Sequence, residues 1–333
     1  MTNDLKTTPK VAFVIVCWNN VDLLAECFES IDAQSYGNHV TVMLDNGSKD
    51  NSIEFTENSY PWVDVVAAGE NLGFAAGNNR AIERALKTHA DTQYVVFLNT
   101  DARIDKDWLA TLVAFAGKKP KGALFQGTTL DYYDRQIVDS THVYISRNGS
   151  GTQAGWRQPY LGIKGPRKVF GVNAAAAMIS RSYIAAQPFE KLFDETMFMY
   201  LEDVDLSARA TVMGWDNYLV PGAVAFHMGS ASSSKRPGFS LYLTYRNNTA
   251  VLLKNLPTRT IIKMVPHIIL ADFHTIKHLR KSGRGRLSSN IIKGRLIGSL
   301  RLPLYIPAIH KLAPYRRSIS REFMWNIMKI GEL

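Results

Sequence analysis

Four apolar runs, each followed by a polar loop and then a helical pattern, constrain this chain more than anything else in it. The first, Lys10 to Cys17 (KVAFVIVC), leads into a stretch from Val21 to Ala33 with apolar residues at Leu23, Leu24, Cys27, Phe28 and Ile31. Val40 to Leu44, Val63 to Ala67 and Tyr94 to Leu98 repeat the plan, and Gly122 to Thr129 returns once more to an extended pattern. Tyr94 to Leu98, rich in β-branched and aromatic residues, reads as a strand buried on both faces, Lys10 to Cys17 as a buried first strand, and the runs between them as a second and a third strand. Strands alternating with helices at this spacing predict an α/β fold built on a doubly wound, mostly parallel sheet. Ligands of such sheets bind in the crevice outside the carboxyl ends of the strands.

Three loops fall at that predicted edge. The fourth strand stops at Asn99-Thr100-Asp101, where a carboxylate can hold a hard divalent cation against a diphosphate; the same residues also make an ordinary turn. The second strand ends in DNGSKDNS, Asp45 to Ser52, with Gly47 for the turn and Asp50 as a cap for a short helix. After the third strand comes the glycine-rich loop Gly69 to Asn79, leading into a helix to about His89; by itself its GxxxG spacing also arises from helix packing. Asp105 is placed to cap a helix through Phe115.

From Leu130 to Lys168 the pattern weakens into glycine-marked loops or a hairpin, either a flap over a site or an inert surface excursion. Val172 to Ile179 suits a close-packed strand or a sheet edge, and Trp215 to Val220 and Ala223 to Phe226 read as two short strands ending at His227. Between them Glu202 and Asp203 open a helix, where carboxylates are favoured by the helix dipole alone. Beyond Ser240 the pattern is helical, broken at Pro257, Pro266, Pro303, Pro307 and Pro314. The expected division is residues 1–240 for the α/β body and 241–333 for a basic amphipathic helical extension.

The net charge of +10 is lopsided. From Ala250 onward 16 lysines and arginines stand against Asp272, Glu322 and Glu332, which leaves the first 249 residues slightly acidic. Apolar positions at Ile261, Ile262, Val265, Ile268, Ile269, Leu270, Phe273, Ile276 and Leu279 recur at helical intervals among Lys263, Lys277, Arg280 and Lys281. Leu300 to Ile309 and Tyr315 to Ile330 repeat the mixture, which suits an interfacial helix on an anionic membrane surface or a helical face packed on the body or in a homodimer. Nucleic acid is not an expected partner, because no recognised binding module accompanies the charge. Cys17 and Cys27 fit no metal spacing and read as reduced, buried thiols. The N-terminal MTNDLKTTPK reads as neither a signal peptide nor a span, and no apolar run approaches the roughly 18–20 residues of a membrane helix. The expected location is the cytoplasm, peripheral at the inner face of the cell membrane.

In this order, VIVCWNN, DNGSKDNS, NLGFAAGNN, LNTDARID, FDETMFMYLEDVDLSARATVMGW and FHMGSAS resemble the inverting family 2 glycosyltransferases of the GT-A fold, in their rhamnosyltransferase-like branch. Asn99-Thr100-Asp101 stands where many relatives carry Asp-x-Asp, and Asn173-Ala174-Ala175-Ala176 where relatives often have Gly-Ala. The resemblance implies a nucleotide site of Trp18, Asn19, Asp45, Asn71, Gly73, Gly77, Asn78 and Asn99, with Asp45 accepting a hydrogen bond from the base. It implies Asp101 and His227 as holders of Mg2+ or Mn2+, Asp203 as general base and Glu202 as an acceptor-positioning group. The implied reaction moves a sugar, L-rhamnose from dTDP-rhamnose by branch resemblance, to a hydroxyl of a glycan or polyprenyl-linked acceptor in cell-surface polysaccharide synthesis. A sugar nucleotidyltransferase or a non-catalytic membrane-docked scaffold would share a similar sheet, although Cys17-Trp18-Asn19-Asn20 stands where the nucleotidyltransferase class resembles G-x-G-T-R.

Overall fold

The computed structural model describes residues 8–229 and 237–318. The end of the FHMGSAS motif from Ser230 and the amphipathic stretch from Ile319 lie outside the described residues. The body begins β1 (Lys10–Cys17), α1 (Val21–Asp32), β2 (His39–Asp45), α2 (Ser52–Ser59), β3 (Val63–Ala67), α3 (Gly73–Thr88) and β4 (Thr92–Leu98). It continues through β5 (Ala102–Ile104), α4 (Trp108–Ala116), β6 (Gly122–Asp131), β7 (Val138–Ser140), β8 (Val143–Ile145), β9 (Gly151–Gln153) and β10 (Arg167–Val169). Then come β11 (Ala176–Ser180), α5 (Arg181–Ala186), α6 (Glu202–Val212) and β12 (Asp216–His227), and the helices α7 (Pro237–Asn255), α8 (Thr258–Lys281), α9 (Ser288–Leu300) and α10 (Leu302–Ser318).

The main sheet runs β10-β12-β6-β11-β4-β1-β2-β3, with β5 added to β12 and β7 to β6. Strands β3, β2, β1 and β4 are mutually parallel, and β6 and β12 run the same way because β11 is antiparallel to both β4 and β6. The fold is therefore α/β with a mixed, mostly parallel sheet. Alternation along β1 divides its side chains between two cores. Val11, Phe13, Ile15 and Cys17 pack under α1 and α4, and Ala12 and Val14 pack under α3 with Tyr183 and Leu206. Each large side chain so buried contributes roughly 1.5–3 kcal/mol.

Several elements differ from the pattern-based expectation. The run after Asp101 forms β5, not the approach to a helix, because Ala102 to Ile104 pair with Ala225 to His227; α4 starts only at Trp108. The small residues of β11 place it centrally between β4 and β6, not at an edge. The two short strands after Trp215 are one strand, β12, with a register shift between Leu219 and Val224 around Pro221-Gly222. Pro257 separates α7 from α8, whereas Pro266 lies inside α8 and Pro307 and Pro314 inside α10. Asp50 does bind the Ser52 amide at 3.2 Å, and its other oxygen takes the Val21 amide at 3.1 Å, so one carboxylate ties two helix starts together.

Candidate active site

Parallel strands bring their following loops to one edge, and here that edge opens into a cavity of about 1060 Å³. Trp18, Asn20, Asn46, Asn71 and Asn99 to Asp101 reach it from the ends of β1 to β4. Strand β12 ends there at His227, in register with Asp131 of β6, and Asn173 to Ala175 enter from the loop that leads into β11. Glu202 and Asp203 also line it, from the start of α6. The β8–β9 hairpin covers the cavity with Gly151, Thr152 and Gln153, so the glycine-marked excursion borders the site and is not inert surface.

The Asp101 loop is built by β5. Pairing of Ala102 with His227 sets the Asp101 carbonyl to accept from the Met228 amide at 3.0 Å and brings the Asp101 carboxylate 3.2 Å from His227 Nε2. Arg103 is buried beneath this turn, donates to the Thr100 and Ala102 carbonyls, and pairs with Glu26 at 2.9 Å. The other ring nitrogen of His227 meets Asp139 of β7 at 3.1 Å. Burial disfavours an imidazolium, but hydrogen bonds and charge from Asp101 and Asp139 outweigh it and push the His227 pKa up to about 10. Asp139 lies in the stretch where sequence periodicity fades, and only the β6–β7 pairing brings it to the site.

Among the described residues there is no cluster of three or more His, Cys, Asp or Glu side chains arranged to hold a metal. Near His227 the cavity is lined by Asp101, Asp131 and Asp139, with the imidazole held between Asp101 and Asp139. Carboxylates so placed fit a divalent cation that completes its shell with substrate phosphate oxygens, since Mg2+ in particular is commonly held by one or two carboxylates plus phosphates, and His227 can join them only by giving up its proton.

At the start of α6, Asp203 keeps part of its surface open while its oxygens accept from the amides of Val204, at 2.7 Å, and Ala174, at 3.4 Å. Burial pushes its pKa up to about 6, with these amides opposing the rise. Glu202 is buried, Oε2 has no hydrogen-bond partner, and burial followed by the neighbouring Asp203 charge drives its pKa well above the usual carboxylate range. Burial thus raises both adjacent carboxyl groups, and the charge of Asp203 adds to the rise at Glu202.

Other residues named from sequence sit differently. Asp45 is buried at the end of β2, outside the cavity lining, with one oxygen accepting from the Ser48 amide at 3.1 Å and the other without a partner. Asn19, at φ 52°, holds the neighbouring loop by accepting from the Lys49 amide at 2.7 Å. Gly77 and Asn78 lie inside α3 and outside the cavity lining: Gly77 lets the helix approach Val16 and Leu44, and Asn78 donates back to the Phe74 carbonyl. Gly73 does line the cavity, but its glycine is required by φ 80° and by Phe198, whose ring and carbonyl would lie 2.5 Å from an added Cβ. The Gly73 and Ala75 amides are taken by Asn71 Oδ1 and the Phe198 carbonyl, so the start of α3 does not offer these two amides to an anion. Sequence reasoning passed over Asn46, which pins this loop by accepting from the Leu72 amide at 2.8 Å and donating to the Gly73 carbonyl at 3.1 Å.

Cys17 and Cys27 are free and buried, and burial pushes their thiols up to about 11 and about 12, which makes them poor nucleophiles.

Known proteins agree with this architecture. The chain is 28% identical over 222 residues to an N-acetylglucosaminyl-diphospho-decaprenol L-rhamnosyltransferase of Mycobacterium tuberculosis, covering 61% of this chain and 71% of that protein. It is 24% identical over 226 residues to rhamnosyltransferase WbbL of Escherichia coli K12, covering 65% and 83% respectively. In fold it is similar to GalNAc-T7, solved with UDP, GalNAc and Mn2+, at a TM-score of 0.56 and 15% identity over 74% of this chain and 48% of that one, which identifies the sheet and its helices as GT-A. The model of the family described as "Glycosyl transferase family 2" matches residues 12–186, more than half of the sequence, and the chain belongs to that family.

Proposed function

We propose that this glycosyltransferase moves L-rhamnose from a dTDP donor to a hydroxyl of a polyprenyl-linked or other glycan acceptor, with inversion at the anomeric carbon. The observation that carries the reading is convergence: Asp101, His227, Glu202 and Asp203, from separate stretches of the chain, line a single cavity of about 1060 Å³. The donor sugar rests on the printed activities of the two rhamnosyltransferases similar to this chain, and the lipid-linked acceptor on the first of them.

In the proposed reaction Asp203 accepts the proton of the acceptor hydroxyl as its oxygen bonds to the sugar C1. The bond from C1 to the diphosphate oxygen breaks on the opposite face, and the electron pair leaves with the nucleoside diphosphate. A base that ionises near pH 6 suits this work, and Glu202 beside it lines the same cavity as a group that can position the acceptor. Trp18, Asn71 and Asn99 line the cavity and would contact the donor nucleotide, whereas Asp45 is not among the lining residues. Asp101 and His227 would hold Mg2+ or Mn2+, which when bound offsets negative charge on the departing diphosphate.

An anionic membrane surface is the proposed site of action. No described helix is long and apolar enough to cross a membrane. Yet α8 to α10 expose Ile262, Ile269, Phe273, Ile292, Leu296 and Leu300 beside exposed Lys263, Lys277, Arg280 and Lys281. Apolar side chains flanked by cations favour interfacial insertion over a bare aqueous face.

Product analysis over a panel of nucleotide sugars tests the reading. Transfer releases nucleoside diphosphate, with dTDP-rhamnose the preferred donor. Pyrophosphate release would instead mark a nucleotidyltransferase, and no release from any donor would mark a scaffold.

A further inference from the structure

The backbone immediately before α6 is bent against its own preferences. Phe198, Tyr200 and Leu201 take φ of 65°, 72° and 66°, and Leu201 is the left-handed residue from which α6 starts. None of these is glycine, and side-chain-bearing residues hold such conformations only where their surroundings over-determine them. The two carboxyl groups facing the cavity, Glu202 and Asp203, follow directly, so the direction of the first turn of α6 depends on this bend.

What over-determines it comes from α7, far along the chain. Asn247 Nδ2 lies 3.0, 2.9 and 2.8 Å from the carbonyls of Met197, Met199 and Tyr200, its two hydrogens shared over three acceptors. Arg246 donates to the Met197 carbonyl at 2.7 Å and the Thr196 carbonyl at 3.1 Å, and through Nε to Asn247 Oδ1 at 2.9 Å. Both side chains are buried, so these bonds do not compete with bulk water. Tyr200 adds a 3.0 Å hydroxyl contact to Ser240, and the Phe198 ring meets Phe239 edge to face.

The helix that supplies the clamp is itself held close. Gly294 and Gly298 of α9 lie against the backbone of α7, where an added Cβ would stand 2.7 Å from the Tyr242 carbonyl oxygen and 2.8 Å from that of Arg246. At the far end of α7, Lys254 pairs with Asp194 at 2.6 Å and Asp205 at 2.9 Å, and Asn255 donates to Asp205 at 2.7 Å. Asp194, just before the strained segment, and Asp205, in the first turn of α6, are thus fixed to the same helix.

We propose that Arg246 and Asn247 are positioning residues for Asp203: they hold residues 196–201 in the bent conformation that aims the first turn of α6 into the cavity. This rests on the reading of Asp203 as the base. It also makes α7 a working part of the catalytic body, although its sequence belongs to the helical extension.

The test compares Asn247→Asp, Asn247→Ala and Arg246→Gln with Val113→Ala, a core truncation in α4 that lowers stability away from the site. Donor turnover and hydrogen exchange are measured in the full chain. Asn247→Asp keeps the side-chain shape but removes the donor, and Asn247→Ala carries the same expectation should the charged variant not fold. The expected result is a kcat lowered about 100-fold with donor KM within about threefold, because a displacement near 1 Å is enough for such a loss. Amide exchange should quicken in residues 196–204 and stay unchanged in β1 and β4. Wild-type kcat in the Asn247 variants overturns the proposal, as does an activity loss matched by Val113→Ala at equal Tm. An active Asp203→Asn enzyme would remove the base assignment and the proposal with it. An inert Asp203→Asn enzyme beside a fully active Asn247→Ala enzyme would remove the clamp alone.

Discussion

At the scale of single residues, the site divides its acidic groups by environment. Asp203 and Glu202 are neighbours in sequence, yet Asp203 is supported by the amides of Val204 and Ala174 whereas Glu202 Oε2 has no hydrogen-bond partner. Its pKa of about 6 has a direct consequence for activity. A base must be ionised, so kcat/KM should rise with pH through about 6 and level off above it, read from a pH profile with saturating metal. For stability the sign is opposite: the folded state favours the protonated carboxyl, so its contribution is full at low pH and is lost as pH rises through about 6. Asp203→Asn should therefore lose transfer by about 100-fold or more while melting no lower than wild type at pH 8. Asp101→Ala should weaken Mn2+-dependent binding of nucleoside diphosphate, measured by calorimetry, without changing metal-free nucleotide binding to the same degree. Removal of divalent cations with a chelator should reduce wild-type turnover, and unchanged turnover would separate Asp101 from metal. Asp101, Glu202 and Asp203 were legible as candidates because they follow a strand or open a helix. Asp139 was not, since nothing local marks a carboxylate that acts through pairing of β6 with β7.

At the scale of elements, strands buried on both faces were the clearest text in the chain, and β1 to β4 fall close to their apolar runs. Short strands were the least clear. Three residues of β5 carry too little periodicity to be seen, and they form because β12 offers them an edge beside the Asp101 turn. The approach of β6 to β12 depends on Gly127, where an added Cβ would lie 1.7 Å from the Ala223 carbonyl oxygen. Backbone, not a flexible side chain, would have to move. Gly127→Ala should therefore cost about 1–3 kcal/mol and lower Tm by about 1–4 °C in a thermal melt. A melt indistinguishable from wild type would mean that the two strands separate without penalty.

At the scale of the whole molecule, the basic extension has two faces with different work. The buried face of α7 is polar, with Arg246, Asn247, Asn248, Lys254 and Asn255 bonded into the body, whereas α8 to α10 turn apolar side chains outward. Replacing Ile269 and Phe273 together by Asp should abolish flotation of the full chain with anionic vesicles while leaving soluble transfer intact. Binding should also weaken at high salt, since the cations act through a screened field. Equal flotation of the variant and the wild type would defeat the membrane reading. The sequence by itself determined the layering of the sheet and the edge at which its loops gather, because apolar periodicity and strand-to-helix alternation are local properties written in adjacent residues. Tertiary structure alone decided which carboxyl groups share a cavity, which of them burial pushes up in pKa, and that a helix near residue 247 grips the turn before residue 202. Those outcomes depend on burial and on bonds between distant segments, and neither quantity exists until the chain has closed on itself.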